Sequence, residues 1–270
     1  MRTVALIGDP VAHSVSPPMH RAAFRACDLD LDYLAIRVRP EELERIFPSL
    51  REQHMGLNVT RPLKQAVLPL VDELSEAARG ARAVNTVSFR DGRAFGDITD
   101  GEGFLRALRR YGRPRSDRAV ILGTGGVARA IGFALLEAGT SVTVTGRTRV
   151  RARELAGELG GDHVRLDAET LRPFVAEADL LVNATPLGGP GHEADDPLPQ
   201  GVELHEGLTV FDVVYRPRAT PLLRRAIDGG ARAIEGVEML VEQGARSFEI
   251  WTGTRPSVEI MWAAAVRALS

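Results

Sequence analysis

The stretch AVILGTGGVARAIGFALLEA, residues 119–138, decides the fold. Ala119 to Leu122 is an apolar run of strand length, and Val127 to Ala138 is an apolar run of helical length. Between them Gly123-Thr124-Gly125-Gly126-Val127-Ala128 matches G-x-G-x-x-A. Gly123 permits a tight turn, and Gly125 lets a pyrophosphate approach the backbone. Ala128 is small enough for the helix to pack close to the strand, and the helix N-terminus faces the phosphates. Glycines also serve ordinary turns. The strand-turn-helix setting is what turns this motif into a dinucleotide site.

The next segments extend the pattern. Ser141 to Thr145 is a second strand, ending in Thr145-Gly146-Arg147-Thr148-Arg149-Val150-Arg151. A site for NAD places Asp or Glu about 20 residues past the glycines, to bind the ribose hydroxyls. Here there is no carboxylate, and the arginines offer forked, permanently charged donors suited to a 2′-phosphate. NADP is therefore preferred over NAD. A charged helix from Arg149 to Leu159 follows, then strands at His163 to Leu166, Asp179 to Asn183 and Leu208 to Val214. Residues 190–206, rich in Pro, Gly and Asp, read as a long surface loop. Such alternation implies a parallel sheet covered by helices on both faces.

Upstream, strands are expected at Thr3 to Gly8, Leu31 to Val38 and Gly56 to Thr60. Ser16 reads as an N-cap with Pro17 opening a helix, and Pro40 opens a charged amphipathic helix. Pro62 is expected to start a helix carrying Leu63, Ala66 and Val67, followed by a second helix over Glu73 to Arg82. Val84 to Phe89 and Ala94 to Ile98 flank the turn Arg90-Asp91-Gly92-Arg93 and read as a hairpin. The polar stretch GRPRSDR, residues 112–118, has the composition of a crossing between domains. Val237 to Trp251 and Ser257 to Leu269 are helices with no strand between them.

The chain has 270 residues, 44% hydrophobic and 26% charged, with a formal net charge of −2. That balance carries no basic footprint of a nucleic-acid binder. No apolar run reaches the roughly 18 to 20 residues of a membrane span, and the start lacks the pattern of a secretory signal. One cysteine, Cys27, excludes an intrachain disulfide and is expected in the core; a cytoplasmic setting fits. The histidines, His13, His20, His54, His163, His192 and His205, show no paired metal-ligand spacing.

Polar residues gather at strand ends and loop entries of the first half: Ser14, Ser16, Asn58, Thr60, Lys64, Asn85, Asp97, Thr99 and Asp100. Singly, each has a structural explanation as a cap, a strand end or a solvated side chain. Together with their surroundings they form an ordered series. DPVAHSVSPPMH, LNVTRPLK, GARAVNTV and GDITDGEGF, then GTGGVA, GRTRVR, NATPLG and GVEMLVEQGA, resemble the signature series of the shikimate dehydrogenases from residue 4 to about residue 253.

The resemblance implies NADPH-dependent, reversible reduction of 3-dehydroshikimate to shikimate, with Lys64 and Asp100 as the catalytic pair. Which of the two transfers the proton is left open. It implies that Ser14 and Ser16 bind the substrate carboxylate. Asn58, Thr60, Asn85, Tyr215 and Gln243 would bond the ring hydroxyls and carboxylate. On the cofactor side it implies Gly123, Thr124, Gly125, Gly126, Val127 and Ala128 at the pyrophosphate, and Arg147, Thr148 and Arg151 at the 2′-phosphate. Ala184, Thr185, Val213, Gly236 and Met239 resemble residues beside the nicotinamide, and Glu76 a position near the cofactor.

The implied architecture is α/β. An amino-terminal substrate domain, residues 1–100 plus 237–270, is joined to a Rossmann-type domain, residues 101–236, with the substrate in the cleft between them. Either a monomer or a homodimer fits, and no metal, nucleic-acid or membrane partner is expected. Two positions depart from the family pattern, Ile98 and Gly146, where Asn is usual. They keep open a quinate or aminoshikimate dehydrogenase, including one that accepts NAD; a non-catalytic NADP-binding regulator is the rival from another class.

Overall fold

The structure, a computed structural model, describes residues 2–112 and 116–270. The chain divides into two compact units, residues 1–103 with 241–270, and residues 104–240. The first division falls inside a helix, ahead of the expected crossing at 112–118; residues 113–115 of that stretch lie outside the described residues.

In the first unit, β1 (Arg2–Gly8) is followed by α1 (Ser16–Ala26), β2 (Leu31–Arg37), α2 (Pro40–Gln53) and β3 (Gly56–Val59). A short 3-10 turn at Leu68–Leu70 leads to β4 (Glu73–Leu74), α3 (Glu76–Ala81), β5 (Thr86–Arg90), β6 (Arg93–Asp97) and the start of α4 (Asp100–Arg110). The sheet order is β2-β1-β3-β5-β6-β4. β1 runs parallel to β2 and β3, while β5 is antiparallel to both β3 and β6. The hairpin forms as expected, and its two turn residues, Asp91 and Gly92, both have positive φ, 50° and 72°. That is the turn whose twist matches the flanking strands. β1 contributes Val4, Ala5 and Ile7 to the core, with Phe24, Leu57 and Phe248 among the other buried side chains.

The second unit holds β7 (Arg118–Leu122), α5 (Gly126–Glu137), β8 (Ser141–Thr145), α6 (Arg149–Glu158), β9 (Asp162–Val164), α7 (Ala168–Ala176) and β10 (Leu180–Asn183). Then come β11 (Thr209–Asp212), α8 (Pro221–Asp228), β12 (Arg232–Ile234) and the first turn of α9 (Gly236–Thr252); α10 (Val258–Leu269) belongs to the first unit. The sheet order β12-β11-β10-β7-β8-β9 is wholly parallel. The order reverses between β7 and β10, so the strand ends there form the switch point at which doubly wound sheets bind dinucleotides. Two apolar clusters, one around Ile121, Ile131 and Val144 and one around Val120, Leu181 and Val210, sandwich this sheet. The fold is the expected α/β arrangement with a Rossmann-type sheet.

Several expectations need correction. Residues 61–67 form a run of turns rather than an α-helix. The carbonyl of Lys64, which a helix would give to Leu68, is instead taken by Val84 N at 2.8 Å, and Leu68 N turns to Gln65 O. The helix expected over 73–82 is split, because Glu73 and Leu74 pair with Phe95 and Gly96 on β6 and Ser75 then caps α3 by accepting from Ala78 N. Ser16 is the first residue of α1 and Val15 its cap; the Ser14 hydroxyl already accepts from Ser16 N at 3.2 Å. Cys27, just past α1, is half-buried rather than a core residue. The spacing gave no signal for α7, α8 or β12, which are short. Among the described residues no helix is long and apolar enough to cross a membrane.

Candidate active site

In the first unit the polar residues form one connected network. Lys64 Nζ lies 2.5 Å from Asp100 Oδ2, and both side chains are largely buried. Lys64 is presented by the turn run whose backbone Val84 holds, and Asp100 opens α4. A carboxylate is favoured there, because the free N–H groups of the first turn leave partial positive charge. The other carboxylate oxygen, Oδ1, accepts from Asn85 Nδ2 at 2.9 Å. Asn85 also donates to Thr99 Oγ1 at 3.0 Å and approaches Gln243 Oε1 at 3.4 Å, while its oxygen accepts from Thr99 N.

A second branch runs from Asn58 on β3. Its amide donates to Asn85 O at 3.0 Å and to Ser247 Oγ at 3.1 Å, and its oxygen accepts from Tyr33 OH at 2.6 Å. Burial pushes the Tyr33 hydroxyl above its ordinary titration range, and a hydrogen bond with Ser16 opposes the shift. Ser16 is thereby linked through Tyr33 and Asn58 to Asn85, Asp100 and Lys64. Thr60, half-buried, follows β3 with its N–H on Ile7 O, at the same end of the sheet as the Ser14 loop. Gln243 enters through a close approach: a Cβ on Gly103 would lie 2.5 Å from Gln243 N, so α4 and α9 meet backbone to backbone there.

Tyr33, Thr86 and Ser247 were not anticipated from the sequence. Thr86 and Ser247 bond each other at 2.7 Å and are fully buried, as is Tyr33. None sits in a recognisable spacing, since each is joined to the site only by folding. His20 stacks on Tyr33 at 4.4 Å, and burial lowers its pKa to about 3, so it lines this network as a neutral ring. Exposed His13 belongs to the Ser14 loop. Ile98 is 5% exposed, and its N–H is spent on Asp97 Oδ1. Asp97 itself accepts from Ser75 Oγ at 2.6 Å, which gives this acid a structural task.

The second unit carries the glycine turn. Gly123 has φ 122°, and a Cβ on it would sit 2.8 Å from Ala184 O. Gly125 is exposed, and a Cβ there would meet nothing within 4 Å, so the backbone is open at the head of α5. Thr124, Gly126 and Val127 are half-buried and Ala128 is fully buried against the sheet. Arg147, Thr148 and Arg151 are exposed at the end of β8 and the start of α6, with Arg149 between them. An open backbone at a helix N-terminus, beside exposed arginines and no carboxylate, fits a dinucleotide bearing a 2′-phosphate. Gly146 packs on the turn: a Cβ there would lie 3.1 Å from Thr124 Cγ2, so Thr124 occupies the space a side chain would need.

Ala184, Thr185, Val213, Gly236 and Met239 gather at the ends of β10 and β11 and the start of α9 in this same unit. A Cβ on Gly236 would strike the backbone of Val213 and Val214 within 2.6 Å. Tyr215, half-buried, also belongs to the second unit, apart from the other substrate candidates in the chain's division. Glu76, conversely, is exposed on α3 in the first unit. Among the described residues no group of three or more His, Cys, Asp or Glu side chains is placed to hold a metal ion.

Three family descriptions match the chain in order. The shikimate dehydrogenase substrate binding domain matches residues 6–87, shikimate / quinate 5-dehydrogenase matches 106–191, and the shikimate 5′-dehydrogenase C-terminal domain matches 236–266. A shikimate dehydrogenase (NADP(+)) of Methanopyrus kandleri is 46% identical, over 96% of this chain and 92% of its own. The chain belongs to the shikimate dehydrogenase family. Among solved structures, shikimate 5-dehydrogenase of Thermus thermophilus in complex with NADP(H) and shikimate superposes with a TM-score of 0.93 at 42% identity, covering all of both chains. Quinate dehydrogenase of Corynebacterium glutamicum in complex with NAD gives a TM-score of 0.87 at 33% identity, over 98% of this chain and 99% of that one. Shikimate dehydrogenases therefore share both halves of the architecture, and quinate dehydrogenase shows that this fold is not confined to one substrate.

Proposed function

We propose that this chain catalyses the NADPH-dependent, reversible reduction of 3-dehydroshikimate to shikimate, a step toward chorismate and the aromatic amino acids. The observation that carries the reading is the Lys64–Asp100 pair at 2.5 Å, fixed by Asn85 within a buried polar network. A binding protein would not need that pair, which argues against a regulator. Residues 1–100 with 237–270 serve as the substrate domain, and residues 101–236 as the NADP domain. The single cysteine fits a cytoplasmic enzyme.

When bound, the reduced nicotinamide supplies a hydride to the carbonyl carbon of the substrate. The protein's task is to deliver a proton to the oxygen and to stabilise charge as it develops there. Lys64 Nζ donates a hydrogen bond to that oxygen, and the Lys64–Asp100 pair passes the proton, so that C=O becomes CH–OH. Asn85 keeps the Asp100 carboxylate turned toward the lysine. Ser14 and Ser16 hold the substrate carboxylate; Asn58, Thr60, Asn85, Gln243 and Tyr215 bond the ring substituents. A site lined by such groups rejects analogues lacking a hydroxyl, because its own polar groups are then left unpaired. Gly123 to Ala128 hold the pyrophosphate, and Arg147, Thr148 and Arg151 hold the 2′-phosphate. Ala184, Thr185, Val213, Gly236 and Met239 flank the nicotinamide, and Glu76 lies toward the cofactor.

The test is product identification. The purified protein is mixed with 3-dehydroshikimate and NADPH, and the products are separated by chromatography. One shikimate formed per NADPH consumed supports the reading. NADPH binding without any product would leave the regulator in its place.

A further inference from the structure

The ends of β10 and β11 meet at a carboxylate that the chemistry above does not use. Asp212 is fully buried, and among the described residues no cation pairs with it. Its partners are neutral: Asn183 Nδ2 donates to Oδ1 at 2.8 Å, Val214 N donates to Oδ1 at 3.0 Å, and Thr220 Oγ1 donates to Oδ2 at 2.7 Å. Burial raises its pKa to about 6 against the pull of these bonds. A buried carboxylate without a cation is costly, so its geometry calls for an explanation.

What distinguishes a carboxylate is that, ionised, it only accepts, at two oxygens. Three donors from two segments converge on it. An asparagine here would turn an NH2 group toward one of them. The bond to Asn183 also sets which way that amide faces. With its nitrogen held by Asp212 and Leu187 O, the Asn183 oxygen accepts from Thr185 N at 3.0 Å and from Thr185 Oγ1 at 2.7 Å. Thr220, besides donating to Asp212, accepts from Leu223 N and so caps α8. One side chain thus ties the 183–187 segment to the 213–220 segment. These carry Ala184, Thr185, Val213 and Tyr215. Gly123 and Gly236 press on the same backbone.

We propose that Asp212 is a positioning residue, which through Asn183, Val214 and Thr220 fixes the two segments that hold the nicotinamide end of NADP. The proposal rests on the NADP-dependent dehydrogenase reading above. The adenosine end, held by Arg147, Thr148 and Arg151, lies on β8 and α6 and does not depend on the Asp212 bonds.

The experiment compares wild type, Asp212→Asn, Thr220→Val and Thr220→Ser. It measures kcat, KM for NADP⁺, KM for shikimate, and the Kd of adenosine 2′,5′-bisphosphate, which lacks the nicotinamide. Asp212→Asn is expected to raise the NADP⁺ KM and lower kcat, each by about tenfold, within the roughly hundredfold that misplacement of a reacting group costs. The bisphosphate Kd stays within about twofold, while the shikimate KM, which depends on the 213–220 segment only through Tyr215, rises by less than the NADP⁺ KM. Thr220→Val moves the same values in the same direction by less, and Thr220→Ser, which keeps the hydroxyl, brings them back toward wild type. If Asp212→Asn does not fold, the Thr220→Val and Thr220→Ser contrast decides. Equal weakening of NADP⁺ and the bisphosphate, or no change in either, overturns the proposal. A wild-type protein that binds neither ligand overturns the dehydrogenase reading instead.

Discussion

Lys64 and Asp100 come from different local structures, a turn run and a helix start, and the network between Asn85 and Ser247 holds them in register. Removing the amine leaves Asp100 buried, with Asn85 still donating to its carboxylate but no cation beside it among the described residues. Lys64→Ala is expected to reduce kcat by about a thousandfold, in the range for loss of a positioned proton donor, while NADPH binding measured by fluorescence is retained. Near wild-type turnover would remove Lys64 from the mechanism. Asp212 gives a separate pH signature. Its folded pKa, about 6, is above the ordinary 3.8, so between those values the folded state binds the proton more tightly than the unfolded chain. This contribution is fully present below about pH 3.8, is lost as pH rises through about 6, and is flat above it. The melting-temperature difference between Asp212→Asn and wild type should therefore shift in favour of the variant from about pH 4 to about pH 6. A difference constant across that window contradicts the assignment. At this scale Lys64, Asp100, Asn58 and Asn85 are legible as candidates, because each lies beside a strand end within a motif. Tyr33, Thr86, Ser247 and Asp212 were not singled out, since burial and partners, not local spacing, define them.

At the scale of elements, strands and long helices were legible wherever period and punctuation agreed. β7, α5 and β8 follow directly from apolar runs broken by glycine, and the hairpin from Asp91-Gly92. The failures share a cause. Around residues 61–75 a distant partner takes the backbone groups: Val84 claims the Lys64 carbonyl, and β6 claims Glu73 and Leu74. No local pattern reports that competition. Gly92 has φ 72° and open space around it, so Gly92→Ala should cost about 1 kcal/mol in denaturant unfolding with kcat unchanged. The long segment 190–206 is anchored rather than free. Arg225 on α8 donates to Leu198 O at 3.0 Å, Pro199 O at 3.1 Å and Val202 O, and pairs with Asp196 at 3.0 Å. Arg225→Ala is expected to lower stability by about 2 to 3 kcal/mol and to speed cleavage by a glutamate-specific protease at Glu193, Glu203 or Glu206. Cleavage at the wild-type rate would show that the clamp is not what orders this segment.

For the whole molecule, each unit has its own sheet and its own part of the chemistry. The parallel sheet with its switch point is the Rossmann-type half, and the mixed sheet with its buried network lies in the half that matches the substrate binding domain. The two-part α/β order was readable from the order of motifs along the chain, whereas the return of α10 to the first unit was not a matter of periodicity. The central claim joins the halves: NADP is selected by the arginines after β8, and shikimate by the hydroxyl-rich network, with Ile98 and Gly146 tolerated. The most direct test is kcat/KM for oxidation of shikimate and of quinate, each with NADP⁺ and with NAD⁺, followed by absorbance of the reduced nicotinamide. Shikimate with NADP⁺ is expected to exceed every other pair by about a hundredfold or more, the scale set by an unmatched polar group or a missing 2′-phosphate contact. Preference for quinate or for NAD⁺ would contradict it.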